Sequence, residues 1–299
     1  DIAAMELKTE EVMPYFDWRM FYAIWGVKYG SSSPEAMELI PLRQDAEDEL
    51  ALGNFKIMMS ARFFMGVSEN DCIKVRSLKP AGAPKVRDYA TLYKKEETKF
   101  DVSQIVRMAS ESFSLPFMRQ ETGAGQSLCD FVAPASAGTK GSPFGVFTIC
   151  VRPRNNAHEE GCCCPACSNK YEDMIAKTVR LTLAEAASKW LDKELLGQIQ
   201  VSDGNIKVIK PAAGYASCPD HTLKRDIMDM LSGEYDLGIK LTESCAMIPD
   251  ASICGFILMH PEAGFPVIRM ISQQQYEDYA ERRNMDKDTA RRFLGHLLK

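Results

Sequence analysis

Two short stretches hold the residue types that do chemistry. Residues 210–221 read KPAAGYASCPDH, a lysine, a turn of small residues and a Cys/His pair within one loop. Residues 162–167 read CCCPAC, with His158 just upstream. The second stretch offers enough soft ligands for zinc or an iron–sulfur group. Tetrahedral sites usually draw on two separated pairs, however, and only Cys164 and Cys167 have the CxxC spacing, with Cys162 and Cys163 crowded beside them. Metal ligation, a redox-labile exposed loop and an uninvolved insertion all fit this composition.

In the first stretch, Cys218 and His221 have the types of a thiol nucleophile and its base. Pro219 supports a plainer reading, because proline suits a first helical turn, and no catalytic residue is assigned. The Ala212-Ala213-Gly214-Tyr215 turn says more. A glycine between small residues lets backbone N–H and C=O groups approach a ligand, and the following tyrosine can stack on it or donate a hydrogen bond. An ordinary strand-to-helix turn is the alternative. There is no GxGxxG or GxxxxGK[ST] stretch, so the usual phosphate-cradling loops are missing.

The elements that must position these residues follow from periodicity. From Tyr171 to Leu195 the apolar residues Ile175, Val179, Leu183, Ala186, Ala187, Trp190 and Leu191 form one broad helical stripe. Glu185 falls near the edge of that stripe, where a carboxylate can reach a ligand while its helix stays anchored. Other helices are expected at 15–29, about 35–52, 101–113, after Pro219, after the Ser272 capping box and after Asp286. Strands are expected at 55–66, 71–77 and 144–152, and a hairpin from the two apolar arms around His260–Gly264. Residues 79–88 and 153–169 read as loops. This mixed order favours an α+β fold, an antiparallel sheet flanked by helices. The expected organisation is a single domain over 1–299, with a helical N-terminal segment at 1–52 and the Cys-rich loop at 153–169.

Bulk properties narrow the partners. A net charge of −5 supplies no basic field, so nucleic acid is not an expected partner. The strongly apolar run Phe144–Val151 is far shorter than the roughly 20 residues of a membrane span. Ten cysteines without a secretory layout point to reduced thiols and a cytoplasmic location.

The loop KPAAGYASCPDHT closely resembles the Arg-Pro-x-x-Gly-Tyr-x-x-x-Pro-(Asp/Glu)-His-Thr loop of the activation domain of cobalamin-dependent methionine synthase. FDWRMFYAIWGVKY, FMRQE, CDFVAP, LAEAASKWL, KLTESCAMIPDASICGFILMHPEA and YEDYAERRNM are similar to that family in the same order. The resemblance is strong at 15–29 and over 125–299, and weak between about 35 and 110. It implies an α+β domain that binds S-adenosylmethionine and docks on a cobalamin-bearing module. There an electron from a flavodoxin-like donor and a methyl group from S-adenosylmethionine return cob(II)alamin to methylcobalamin. Cobalamin would be met through the partner, a methionine synthase module or another corrinoid protein, rather than held by this chain alone.

Carried over residue by residue, the resemblance implies Asp17 for the ligand ammonium, Glu185 as a second carboxylate at the ligand, and Lys210 for the ligand carboxylate. Gly214 and Tyr215 fall on the turn, with backbone contacts from Ala212 and Ala213, and Phe265 and Pro266 stand where the family has adjacent tyrosines. Lys210 replaces an arginine, which loses the planar bidentate fork. Leu181-Thr182 replaces the Asp-Arg that usually precedes Leu-Ala-Glu-Ala. Two other readings stay open: a redox- or metal-responsive protein using Cys162–Cys167, and a degenerate paralogue that docks on a corrinoid protein without binding the ligand.

Overall fold

Residues 142–153 are apolar almost without interruption, the pattern of a strand covered on both faces. The computed structural model describes residues 1–27, 34–76, 112–136, 139–154, 170–200 and 206–299, and in it they form β5 (Ser142–Pro153), central in the main sheet. On one side β5 pairs with β2 (Phe55–Glu69), in register from Phe55 opposite Pro153 to Gly66 opposite Ser142. The far edge of β2 is long enough to take two partners. Its first half pairs with β1 (Ile2–Leu7) and its second with β3 (Cys72–Arg76), which carries β4 (Ser112–Pro116). On the other side of β5 lie β9 (Ser252–His260) and then β6 (Lys207–Ile209). Every pairing is antiparallel. A separate short ladder joins β7 (Lys240–Leu241) to β8 (Met247–Ile248).

Strand alternation divides the core into two layers. Ile57, Met59, Phe63, Phe147 and Ile149 pack with α1 (Thr9–Val12), α2 (Trp18–Ile24), α3 (Pro34–Leu52) and α4 (Lys170–Gln200). Phe64, Phe144, Val146 and Phe256 pack with the turn Leu128–Phe131 and α5 (Leu223–Met230) on the opposite face. Burial of each such Phe or Ile contributes about 2–3 kcal/mol before entropy is counted. A third cluster around Ile271, Tyr279, Phe293 and Leu294 holds α6 (Gln273–Arg282) and α7 (Lys287–Leu294).

The structure has the expected α+β architecture of an antiparallel sheet flanked by helices. Three local expectations change. The N-terminal segment, residues 1–52, is not all helical, because Ile2–Leu7 is an edge strand on β2. The helix expected over 15–29 shortens to Trp18–Ile24, since Asp17 caps it and Gly26 turns the chain with φ +73°. The hairpin around His260–Gly264 has only its first arm. β6 occupies the outer edge of β9 that a second arm would need, Pro266 withholds a ladder donor, and residues 261–270 form no strand. The helix expected at 101–113 lies outside the described residues except for its last two positions, which begin β4. The loop at 79–88 and residues 155–169 of the Cys-rich loop also lie outside the described residues.

Candidate functional site

The long helix α4 is fixed by Ile175, Val179, Leu183, Ala186, Ala187 and Leu191, all buried in the core. Thr178 and Thr182, also buried, return their hydroxyls to the carbonyls of Met174 and Thr178, each at 2.8 Å. Glu185 sits at the edge of this stripe, half-buried. Ser188, Lys189 and Asp192 follow it at helical spacing and continue the same face.

Two segments reach this face from elsewhere in the chain. Asp17 caps α2 by accepting from Arg19 N at 3.0 Å, and its second oxygen takes Lys189 Nζ at 3.1 Å. The Lys189 bond is the main reason the Asp17 carboxyl is held below its ordinary range. Lys210, just beyond β6, sends its ammonium to the Ser188 carbonyl, to Ser188 Oγ at 2.7 Å and to Asp192 Oδ1 at 3.0 Å. Its three N–H donors therefore have three acceptors, and the charge also lies 5.2 Å from the centre of the Phe147 ring. Burial lowers the Lys210 pKa, with Asp192 and Glu185 opposing that shift.

Glu185 lies within electrostatic reach of both lysines, yet burial dominates and raises its pKa. A carboxyl whose folded pKa is raised favours the fold below its unfolded pKa, and that contribution is lost as pH rises through the folded value. Glu185→Gln removes the buried charge. Melting of the ligand-free protein near pH 8 is expected to rise by about 2 °C, a gain that fades as the pH is lowered through the carboxylate range. An unchanged melting temperature at both pH extremes would show that burial does not govern this carboxylate.

The 210–221 loop crosses β9 where no side chain blocks it. Pro211 O accepts from Phe256 N at 3.0 Å, and a Cβ on Gly255 would stand 2.6 Å from that same oxygen. Ala212 bridges to Gly255, and Ala213 is buried. Within the turn, Gly214 N donates to Cys218 O at 2.7 Å, Cys218 N to Tyr215 O at 2.8 Å and Tyr215 N to Ala212 O at 3.3 Å. The N–H groups of Gly214 and Tyr215 are thus engaged inside the loop. Gly214 is needed for two other reasons: its φ is +94°, and a Cβ there would fall 2.3 Å from His221 Cε1. His221 is a packing partner of the turn, with Lys224 Nζ 3.2 Å from its Nδ1. Cys218 is buried and its thiol is pushed well above its ordinary pKa by burial, which opposes a nucleophilic role.

Tyr215 is 69% exposed and Phe265 58%, while Pro266 is buried. The segment carrying Phe265 is joined to the loop by Ile268 N donating to Ala216 O at 2.7 Å. The structure thus gathers Asp17, Glu185 and Lys210 about one face of α4, and ties the Phe265 segment to the Gly214–Tyr215 turn. Sequence reasoning missed Ser188, Lys189 and Asp192, although their spacing from Glu185 on one helix face was a usable signal. His158, Cys162, Cys163, Cys164 and Cys167 lie outside the described residues. Among the described residues, no group of three or more His, Cys, Asp or Glu side chains is arranged to hold a metal ion.

The family described as vitamin B12 dependent methionine synthase, activation domain, matches residues 8–284. The chain belongs to this activation-domain family. A solved structure described as the MetH reactivation domain bound to AdoHcy superposes with a TM-score of 0.76 at 26% identity, covering 100% of this chain and 90% of that one. In the activation-domain fold, then, α4 and the loop after β6 stand together in this chain as described above. No helix among the described residues is long and apolar enough to cross a membrane.

Proposed function

We propose that this activation domain, acting as one unit over its 299 residues, binds S-adenosylmethionine at the α4 face and the adjoining loop. Asp17 would take the ligand ammonium, Lys210 the carboxylate, and Glu185 would stand beside them as a second anion. The turn from Ala212 to Tyr215 would support the rest of the ligand, with Phe265 and Pro266 at its margin. The bound ligand supplies a methyl group, and the chain's own role is to hold and orient it. The domain would then dock on the cobalamin-bearing module of a methionine synthase or another corrinoid protein in the cytoplasm. A flavodoxin-like donor would supply the electron that accompanies reductive methylation.

The observation that supports this reading is the meeting of Asp17, Glu185 and Lys210, from three separate segments, around one helix face. The similar reactivation domain was solved with AdoHcy, which has the same amino-acid end. Calorimetry with S-adenosylmethionine is expected to show binding, weakened about tenfold by Asp17→Asn, the scale of one lost charge-assisted hydrogen bond. Absence of heat at millimolar ligand would remove the reading. The docking step is checked by mixing the protein anaerobically with a cob(II)alamin-loaded module and reduced flavodoxin and following the cobalamin spectrum.

A further inference from the structure

Two ion pairs join α4 to the segments that reach it, and together they present the two charges that an amino-acid end carries. Asp17 holds the ammonium of Lys189 at 3.1 Å. Lys210 holds the carboxylate of Asp192 at 3.0 Å. Lys189 and Asp192 stand three positions apart on one helix, so they share a face. That face offers an ammonium to the site's anion and a carboxylate to its buried cation, as a free amino acid would. We propose that Lys189 and Asp192 are an internal stand-in for the amino-acid end of the ligand, displaced from Asp17 and Lys210 when the ligand binds. The inference rests on the roles given to Asp17 and Lys210 in the proposed function.

The two halves differ in strength. Lys189 and Asp17 have side chains 49% and 37% exposed, so their pair is screened by solvent and opens at small cost. Lys210 is only 8% exposed and, among the described residues, has no other carboxylate within ion-pair distance. If Asp192 leaves, a buried ammonium keeps the Ser188 oxygens, the Phe147 ring and the more distant charge of Glu185 but loses its paired carboxylate, and an incoming carboxylate is what restores that pair. Displacement therefore favours ligands that carry both charges. A ligand with the ammonium but no carboxylate opens only the weaker pair.

Calorimetric titration tests this with wild type, Lys189→Met, Asp192→Asn and the double variant, using S-adenosylmethionine and its decarboxylated analogue. Both positions are partly exposed, and thermal melting is the check that each variant is folded. S-adenosylmethionine is expected to bind about threefold tighter to Lys189→Met and about tenfold tighter to Asp192→Asn, because a self-occupied site lowers apparent affinity by its competent fraction. The decarboxylated analogue is expected to gain from Lys189→Met and not from Asp192→Asn. If wild type binds and Asp192→Asn binds equally or more weakly, the stand-in is overturned while the site reading survives. If neither wild type nor the double variant binds, the site assignment falls and the stand-in falls with it.

Discussion

Gly214→Ala is expected to abolish measurable ligand binding and to destabilise the fold by about 3 kcal/mol, from strain at a positive φ together with overpacking. The position is doubly constrained. Its φ of +94° lies where a Cβ is strained whatever the space, and the Cβ would also sit 2.3 Å from His221 Cε1. His221 has little room to yield, since Gly214 is held by Cys218 O and the ring stands against Lys224, itself anchored to Cys245 O at 3.0 Å. Urea unfolding and calorimetry measure the two effects. Adding His221→Ala to Gly214→Ala removes the clash but not the backbone strain, so about half of the lost stability is expected to return. A fully stable Gly214→Ala protein would mean that the turn has another conformation, and the site geometry would have to be rebuilt.

How much of this was legible in the sequence depended on how local the physics is. The α4 stripe from Ile175 to Leu191 is a periodic signal within one element, and it put Glu185 at the edge where the structure has it. Gly214 was also legible as a position that needs glycine. The turn suggested close approach to a ligand, and the structure adds a second demand, since the missing Cβ admits the His221 ring. That contact spans seven residues and leaves no periodic trace. β1 was missed because Ile2–Leu7 is mostly exposed and pairs across the chain with Ile57–Ala61, so its apolar alternation is faint. The second arm of the expected hairpin had the right apolar content. β6 had taken the free edge of β9, Pro266 withheld a ladder donor, and Ile268 N found Ala216 O instead. Lys189 and Asp192 drew no reading from the sequence. Their meaning appears only once Asp17 and Lys210, distant along the chain, arrive beside them.

Asp220→Ala is expected to cost about 4 kcal/mol, the range for breaking a buried charged network from one side. Asp220 is buried beneath the loop and accepts from Thr222 N at 2.7 Å, Thr222 Oγ1 at 2.8 Å and Tyr279 Oη at 2.9 Å. Arg283 Nε lies 3.3 Å from its Oδ2, and the same guanidinium reaches Asp226 Oδ2 at 2.9 Å. Tyr279 and Arg283 belong to α6 and its cap, so this carboxylate ties the end of the loop to the C-terminal helices. Removing it leaves a buried phenol, a backbone N–H and the Thr222 hydroxyl without their acceptor and takes one of two carboxylates from the Arg283 charge, although Asp226 still holds the arginine. Tyr279→Phe keeps the ring in the core and removes one donor, with an expected cost of about 1–1.5 kcal/mol. Unfolding of the two single variants and the double variant measures their coupling. Because Asp220 serves both residues, the double variant is expected to lose less than the sum of the singles. Strict additivity would mean that α6 and the loop are stabilised independently. Ligand affinity would then have no reason to follow the integrity of the C-terminal helices, whereas coupling makes the helix pair a support of the Gly214 turn.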